Sequence, residues 1–117
     1  MIFLKVAIVG SRKFDDAEKV YEKICRQIPR NCTEIVSGGA QGVDTLAQRY
    51  AQEHGLFMKI FLPEYEKFGK AATLIRNTEI VKYSDYVFVF IHDDSSGSVD
   101  TAKKCLELGK PFCVIYI

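Results

Sequence analysis

Five apolar runs constrain this chain more than any other feature: "IFLKVAIV" (2–9), "TEIVS" (33–37), "LFMKIFL" (56–62), "DYVFVFI" (85–91) and "FCVIYI" (112–117). They are rich in β-branched and aromatic residues and mostly continuous rather than alternating, the pattern of parallel strands covered on both faces. Helical periods fill the gaps. Ala17, Val20, Tyr21, Ile24, Cys25 and Ile28 recur at three and four residues, with Asp15 or Asp16 available as N-cap. Val43, Leu46, Ala47, Tyr50 and Ala51 repeat the pattern, and Gly55 is placed to end that helix. A third helix is expected over about 71–83, and a fourth from Ser98 to Leu108, closed by Gly109 and Pro111. "PEYEKFGK" (63–70) reads as the longest irregular piece.

Strand and helix in strict alternation predict an α/β fold with a parallel sheet. No linker, repeat or low-complexity tract interrupts it, so residues 1–117 are expected to form one Rossmann-like, doubly wound domain. Right-handed crossovers give five strands the order 3-2-1-4-5, with helices on both faces and the switch point between strands one and four. Ligands of such sheets bind outside the carboxyl ends of the strands at that switch.

Three loops fall there. "GSRKFDD" (10–16) offers a tight turn at Gly10, a hydroxyl at Ser11 and a planar guanidinium at Arg12. "SGGAQG" (37–42) runs from Ser37 through Gly38, Gly39, Ala40 and Gly42 into a helix, with Asp44 in its first turn. "HDDSSGSVD" (92–100) leads through Ser96, Gly97 and Ser98 into the last helix. Short glycine turns that run into helix starts are anion sites. Each element also has a plainer reading: the glycines as chain reversal, Asp44 as a first-turn charge, Arg12 as a solvated loop residue. Asp93 and Asp94 read as solvated or helix-flanking acids in preference to catalytic ones. "LIRN" (74–77) puts Arg76 and Asn77 inside an otherwise apolar helical stretch.

Other classes are argued against. The net charge is +1, which gives no global field for nucleic acid or anionic membrane, so nucleic acid is not expected as a partner. The apolar start is too short to span a membrane and lacks a basic leader and a cleavage site. Four scattered cysteines without a close pair, and two histidines not spaced to help them, point to reduced thiols, no metal and a cytoplasmic location. The G-x-G-x-x-G fingerprint is absent, so a nicotinamide enzyme is not expected and no cofactor is assigned.

Taken in order, "VGSRKFDD", "VSGGAQGVDTLAQRYA", "GKAATLIRN" and "YSDYVFVF…SSGSVDTAKKCLELGKP" resemble the small YspA-like proteins of the SLOG superfamily over nearly the whole chain. The superfamily has a Rossmann-like fold. It includes the lysine decarboxylase-like phosphoribohydrolases and the DNA-processing proteins that load recombinase on single strands. The resemblance implies a nucleotide or nucleotide-derived ligand, ADP-ribose-like or cyclic forms included, that is sensed or processed; related domains often dimerise, which implies a homo-oligomer. It assigns Gly10, Ser11 and Arg12 to a first ligand loop, and Ser37, Gly38, Gly39, Gly42 and Asp44 to a second. Arg76 and Asn77 match a family "RN" pair, and Ser96, Gly97 and Ser98 a phosphate-facing loop. Phosphoribohydrolases carry P-G-G-x-G-T-x-x-E in that last loop, with a catalytic glutamate and an upstream arginine. Arg76 matches the arginine, but Thr101 stands at the glutamate position, and Asp100 points roughly 100° away on the helix.

Three functions follow in order of preference. In the first, a nucleotide's phosphates rest on the amides of 38–42 and 97–99, clamped by Arg12 and Arg76, with Asp44 or Asn77 on sugar hydroxyls. In the second, an N-glycosidic or phosphoester bond is hydrolysed, with Asp44, Asp93 and Asp100 as the available carboxylates beside Arg76. The third is single-stranded DNA binding, against which the near-neutral composition and the lack of a basic–aromatic face weigh.

Overall fold

The computed structural model describes residues 3–93 and 96–117. Five parallel strands, β1 (Lys5–Gly10), β2 (Glu34–Ser37), β3 (Phe57–Ile60), β4 (Tyr86–Ile91) and β5 (Phe112–Tyr116), form one sheet in the order β3-β2-β1-β4-β5. The expected Rossmann-like winding is therefore the observed one.

The continuous apolar runs are explained by two cores, one on each face. Val6 and Ile8 of β1, with Ile35, Phe88 and Phe90, pack under α1 (Ala17–Gln27) and α2 (Val43–Glu53). The alternate residues Ala7 and Val9, with Val36, Val87, Val89 and Ile91, pack against Ile80, Val81 and Cys105. Those three belong to α4 (Ala72–Tyr83) and α5 (Ser96–Leu108), which cover the other face. A period of two therefore feeds apolar side chains to both layers, and neither face of the central strands is left for water.

The helix ends follow local chemistry. Asp16, not Asp15, caps α1, its carboxylate accepting from the Lys19 amide at 3.3 Å. Gly55 and Gly109 adopt the left-handed backbone that closes α2 and α5.

Three expectations need correction. The stretch 63–70 is not wholly irregular: it holds a four-residue helix, α3 (Tyr65–Phe68), and a short 3-10 turn, neither burying a side chain. β3 is shorter than the run 56–62 and lies at the sheet edge, where Leu56, Met58 and Phe61 pack partly against the two cores while Phe57 and Leu62 stay exposed. Lastly, α5 starts at Ser96, so Ser96, Gly97 and Ser98 form its first turn, not a loop ahead of it. Asp94 lies outside the described residues. No described helix is long and apolar enough to cross a membrane.

Candidate functional site

A cavity of about 460 Å³ opens at the carboxyl ends of β1 and β4, where the strand order reverses. Its walls come from the loop after β1, the turn after β2, one face of α4 and the first turn of α5.

The turn after β2 holds an anion of the protein's own. Asp44, in the first turn of α2 behind a cap residue (Gly42) that has no side chain, folds back so that its Oδ2 accepts from the Ala40 amide at 3.0 Å. The neighbouring Gly39 amide donates to Ser37 Oγ at 3.3 Å, and the Val43 amide to the Ser11 carbonyl at 3.1 Å. Of the amides 38–42, those of Gly39 and Ala40 are thus already bonded within the turn. The Asp44 carboxyl is 95% buried by exposure (5% remains), and burial pushes its pKa up to about 6. The Ala40 amide, the charge of Arg76, the Gly38 amide and the charge of Arg12 hold it lower than burial alone would. Its Oδ1 is buried with no hydrogen-bond donor among the described residues.

Arg76 is the second buried charge. Its Nη1 donates to the Gly38 carbonyl at 2.6 Å and its Nε to Asn77 Oδ1 at 3.1 Å. Asn77 Nδ2 in turn donates to Asp100 Oδ2 at 3.0 Å, and Lys104 Nζ lies 3.9 Å from the other Asp100 oxygen. Both ends of the Asn77 amide are therefore engaged, which makes Asn77 a link from α4 to α5 that sets Arg76 in place. Nη2 of Arg76 makes no hydrogen bond among the described residues, and neither does any Arg12 nitrogen. Desolvation pulls the Arg76 pKa down, against the attraction of Asp44.

The hydroxyls expected to face a ligand are largely spoken for. Ser11 Oγ accepts from the His92 amide at 2.7 Å and donates to the His92 carbonyl at 3.3 Å, stitching the β1 loop to the end of β4. Ser37 is fully buried against its own turn. Thr101, where a catalytic glutamate stands in the phosphoribohydrolases, lines the cavity and donates to the Gly97 carbonyl at 3.1 Å.

The glycines divide in the same way. A methyl group on Gly10 would run into the Phe90 carbonyl oxygen and Val43, and one on Gly42 into the Ser11 and Arg12 carbonyls; on Gly39 it would meet Leu62 and Ile60. Gly10 and Gly42 are required by packing against backbone, whereas Gly39 meets only movable side-chain ends and is required by its left-handed φ of 69°. Gly97 alone among the loop glycines borders the cavity with open space where a side chain would go.

Of the three candidate carboxylates, only Asp44 borders the cavity. Asp93 is exposed, in a left-handed backbone beside His92 Nε2 at 3.3 Å, and Asp100 is committed to Asn77. Sequence reasoning missed Lys13 and Thr73, which also line the cavity. Lys13 follows Arg12 directly, and Thr73 sits one helical turn before Arg76, a spacing that shares a face. Among the described residues, no group of three or more His, Cys, Asp or Glu is arranged to hold a metal.

A doubly wound parallel sheet with a cavity at its switch point defines a Rossmann-like α/β domain. Within that class, the chain belongs to the YspA, cpYpsA-related SLOG family, whose family model matches residues 4–68, more than half of its length. A curated relative, Gene 61 protein of Mycobacterium phage D29, is 28% identical over 115 residues, 92% of each chain. Among solved structures, DNA processing protein A from Helicobacter pylori, described with a unique single-stranded DNA binding mode, superimposes with a TM-score of 0.73 at 25% identity over 95% of this chain. DNA processing protein A from Streptococcus pneumoniae gives 0.59 at 21% identity over 97% of this chain. The chain spans 64% and 59% of those two chains.

The expectation that nucleic acid is not a partner is overturned by the likeness to a protein with a single-stranded DNA binding mode. It rested on the net charge of +1, an average over the whole surface. Arg12, Lys13 and Arg76 are in fact gathered round one cavity.

Proposed function

We propose that the cavity binds a nucleotide, with its phosphate on Arg12, Arg76 and the amides that open α5, and a sugar hydroxyl on Asp44 Oδ1. The observation that carries this reading is an Asp44 oxygen with no donor among the described residues, beside two arginines with donors unused among those residues. A buried acceptor without a donor costs about 1–3 kcal/mol, more when charged. A ligand that carries both an anion and a hydroxyl donor relieves the acid and the arginines together, and a nucleotide is such a ligand. The first turn of α5 adds the partial positive charge of a helix start, and Gly97 leaves its backbone approachable. Phosphate is placed on this side and not on the turn after β2 because the Ala40 amide there is taken by Asp44 and the Gly39 amide by Ser37.

A second reading is a single strand of DNA in the same cavity, favoured by the likeness to the Helicobacter pylori protein. A deoxyribose strand has no 2′-hydroxyl, so a base amino group would then be the donor to Asp44. Isothermal titration with AMP, dAMP and an oligodeoxynucleotide separates the two. With the ribose 2′-hydroxyl as the donor to Asp44, the nucleotide reading expects AMP to bind about tenfold or more tighter than dAMP, which keeps only the 3′-hydroxyl, the worth of one hydrogen bond to a charged group. The strand reading expects the oligonucleotide to bind tightest, with affinity that falls steeply as salt rises. Absence of binding below millimolar by all three removes both.

A further inference from the structure

Beside the cavity lies a second of about 510 Å³, and the two share Arg12, Gly38, Ala40 and Arg76. The second is lined by Tyr65, Pro63, Gln41, Thr45 and Gln48, none of which borders the first. We propose that this second cavity is a subsite for a further nucleotide unit, so that the protein's ligand is a two-unit chain whose linking phosphate sits between Arg12 and Arg76. The inference rests on the nucleotide reading of the first cavity.

The composition of the second wall suits a nucleobase. Tyr65 is 57% exposed on a four-residue helix that buries nothing, so its ring is a surface platform and not core. Bases stack on such rings whatever their identity. Gln41 and Gln48 carry amides that donate and accept, which matches the mixed polar edge of a base, and Thr45 Oγ1 is already turned to the Ala40 carbonyl at 3.4 Å. Among the described residues no acid borders the second cavity, while Asp44 borders the first. The two spaces thus suit different units: the first the sugar and phosphate of one nucleotide, the second the stacked base of the next.

The partition between them is cationic. Arg12 and Arg76 are close enough for each to bear on the charge of Asp44, and Arg12 also disfavours the charged form of Arg76. Two guanidiniums that repel one another, with nitrogens that make no hydrogen bond among the described residues, are relieved by an anion between them. In a mononucleotide the phosphate is terminal and the second cavity stays unfilled. A phosphodiester has substituents on both sides, as the two cavities do. The shared chemistry is a phosphodiester flanked by two nucleosides, which a free dinucleotide and a nucleic-acid strand both supply.

Isothermal titration of the full chain with the 5′-phosphorylated mono-, di- and decanucleotide of adenylate, in ribo and deoxy forms, tests this, using the wild type, Tyr65→Ala and Tyr65→Phe. The dinucleotide is expected to bind about tenfold or more tighter than the mononucleotide. Tyr65→Ala should erase most of that gain and leave the mononucleotide unchanged, while Tyr65→Phe, which keeps the ring, retains it. A decanucleotide that binds at least as tightly as the dinucleotide, with the same Tyr65 dependence, assigns a strand as source; binding confined to the dinucleotide assigns a free one. The proposal is overturned if mono- and dinucleotide bind equally, or if Tyr65→Ala weakens both alike, and in either case the first-cavity reading survives. Failure of every mononucleotide and dinucleotide to bind removes both.

Discussion

Asp44 and Arg76 close on the same glycine: a methyl group on Gly38 would sit 2.5 Å from Arg76 Nη1 and 3.1 Å from Asp44 Oδ2. The acid and the base therefore share a backbone position without forming a close ion pair, and each takes its firm hydrogen bond from the turn between them. Asp44 accepts from Ala40 and Arg76 donates to Gly38. The glycine turn acts as the spacer that keeps the two charges available.

The burial of Asp44 makes stability depend on pH. Its folded pKa of about 6 lies above the unfolded value of 3.8, so the folded state holds the extra proton between them. The group's contribution to stability is then greatest below pH 4 and declines as pH rises through 6. The difference amounts to about 3 kcal/mol at most. Asp44→Asn, which cannot ionise, should gain on the wild type progressively from pH 4 to pH 7 in urea unfolding. A gap that does not change with pH would show that Asp44 is not held as a desolvated acid.

The glycines of the loops should respond in opposite senses. Gly42 has a positive φ of 75° and its added methyl meets two backbone carbonyls, which cannot step aside. Gly42→Ala should cost about 2 kcal/mol or more, seen as a Tm lower by several degrees. Gly97→Ala should leave Tm unchanged or slightly raised, since alanine favours a helix by about 0.5–1 kcal/mol, and should weaken nucleotide binding instead. Equal loss of stability in both variants would contradict this division.

These contrasts bear on what the sequence discloses. Strand order and helix faces were legible because Val6, Ala7, Ile8 and Val9 are a continuous run that only a two-sided parallel sheet can bury. The loops that converge were legible for the same reason, since topology puts them at one end. The roles within those loops were not. Whether Ser11 meets a ligand or the backbone of His92 depends on a contact across 81 residues, which no local pattern carries. The Asn77–Asp100 link likewise joins two helices 23 residues apart. The nearest local clue was Asp44 itself, an acid just behind a cap with no side chain, placed to reach back to free amides. The short α3 escaped because four residues that bury nothing leave no periodicity.

Asn77 should behave as a positioning residue for Arg76. Asn77→Ala removes the bonds to Arg76 and Asp100 and is expected to cost about 1–2 kcal/mol. Asn77→Asp keeps an acceptor for Arg76 but sets a second carboxylate against Asp100, about 3 Å from its oxygen by the present geometry. Its stability relative to the wild type should change as pH rises from 4 to 7, because ionisation sets the new carboxylate against Asp100 and toward Arg76 at once. A pH-independent loss would place the cost in packing alone.

The most direct test of the account is the affinity for AMP measured by isothermal titration in wild type, Asp44→Ala and Arg76→Lys, with fold checked by circular dichroism. Binding is predicted in the wild type, with a loss of about tenfold or more in each variant, since each removes a charged partner of the ligand. A folded Asp44→Ala protein that binds AMP as tightly as the wild type would contradict the claim that this buried acid is completed by the ligand.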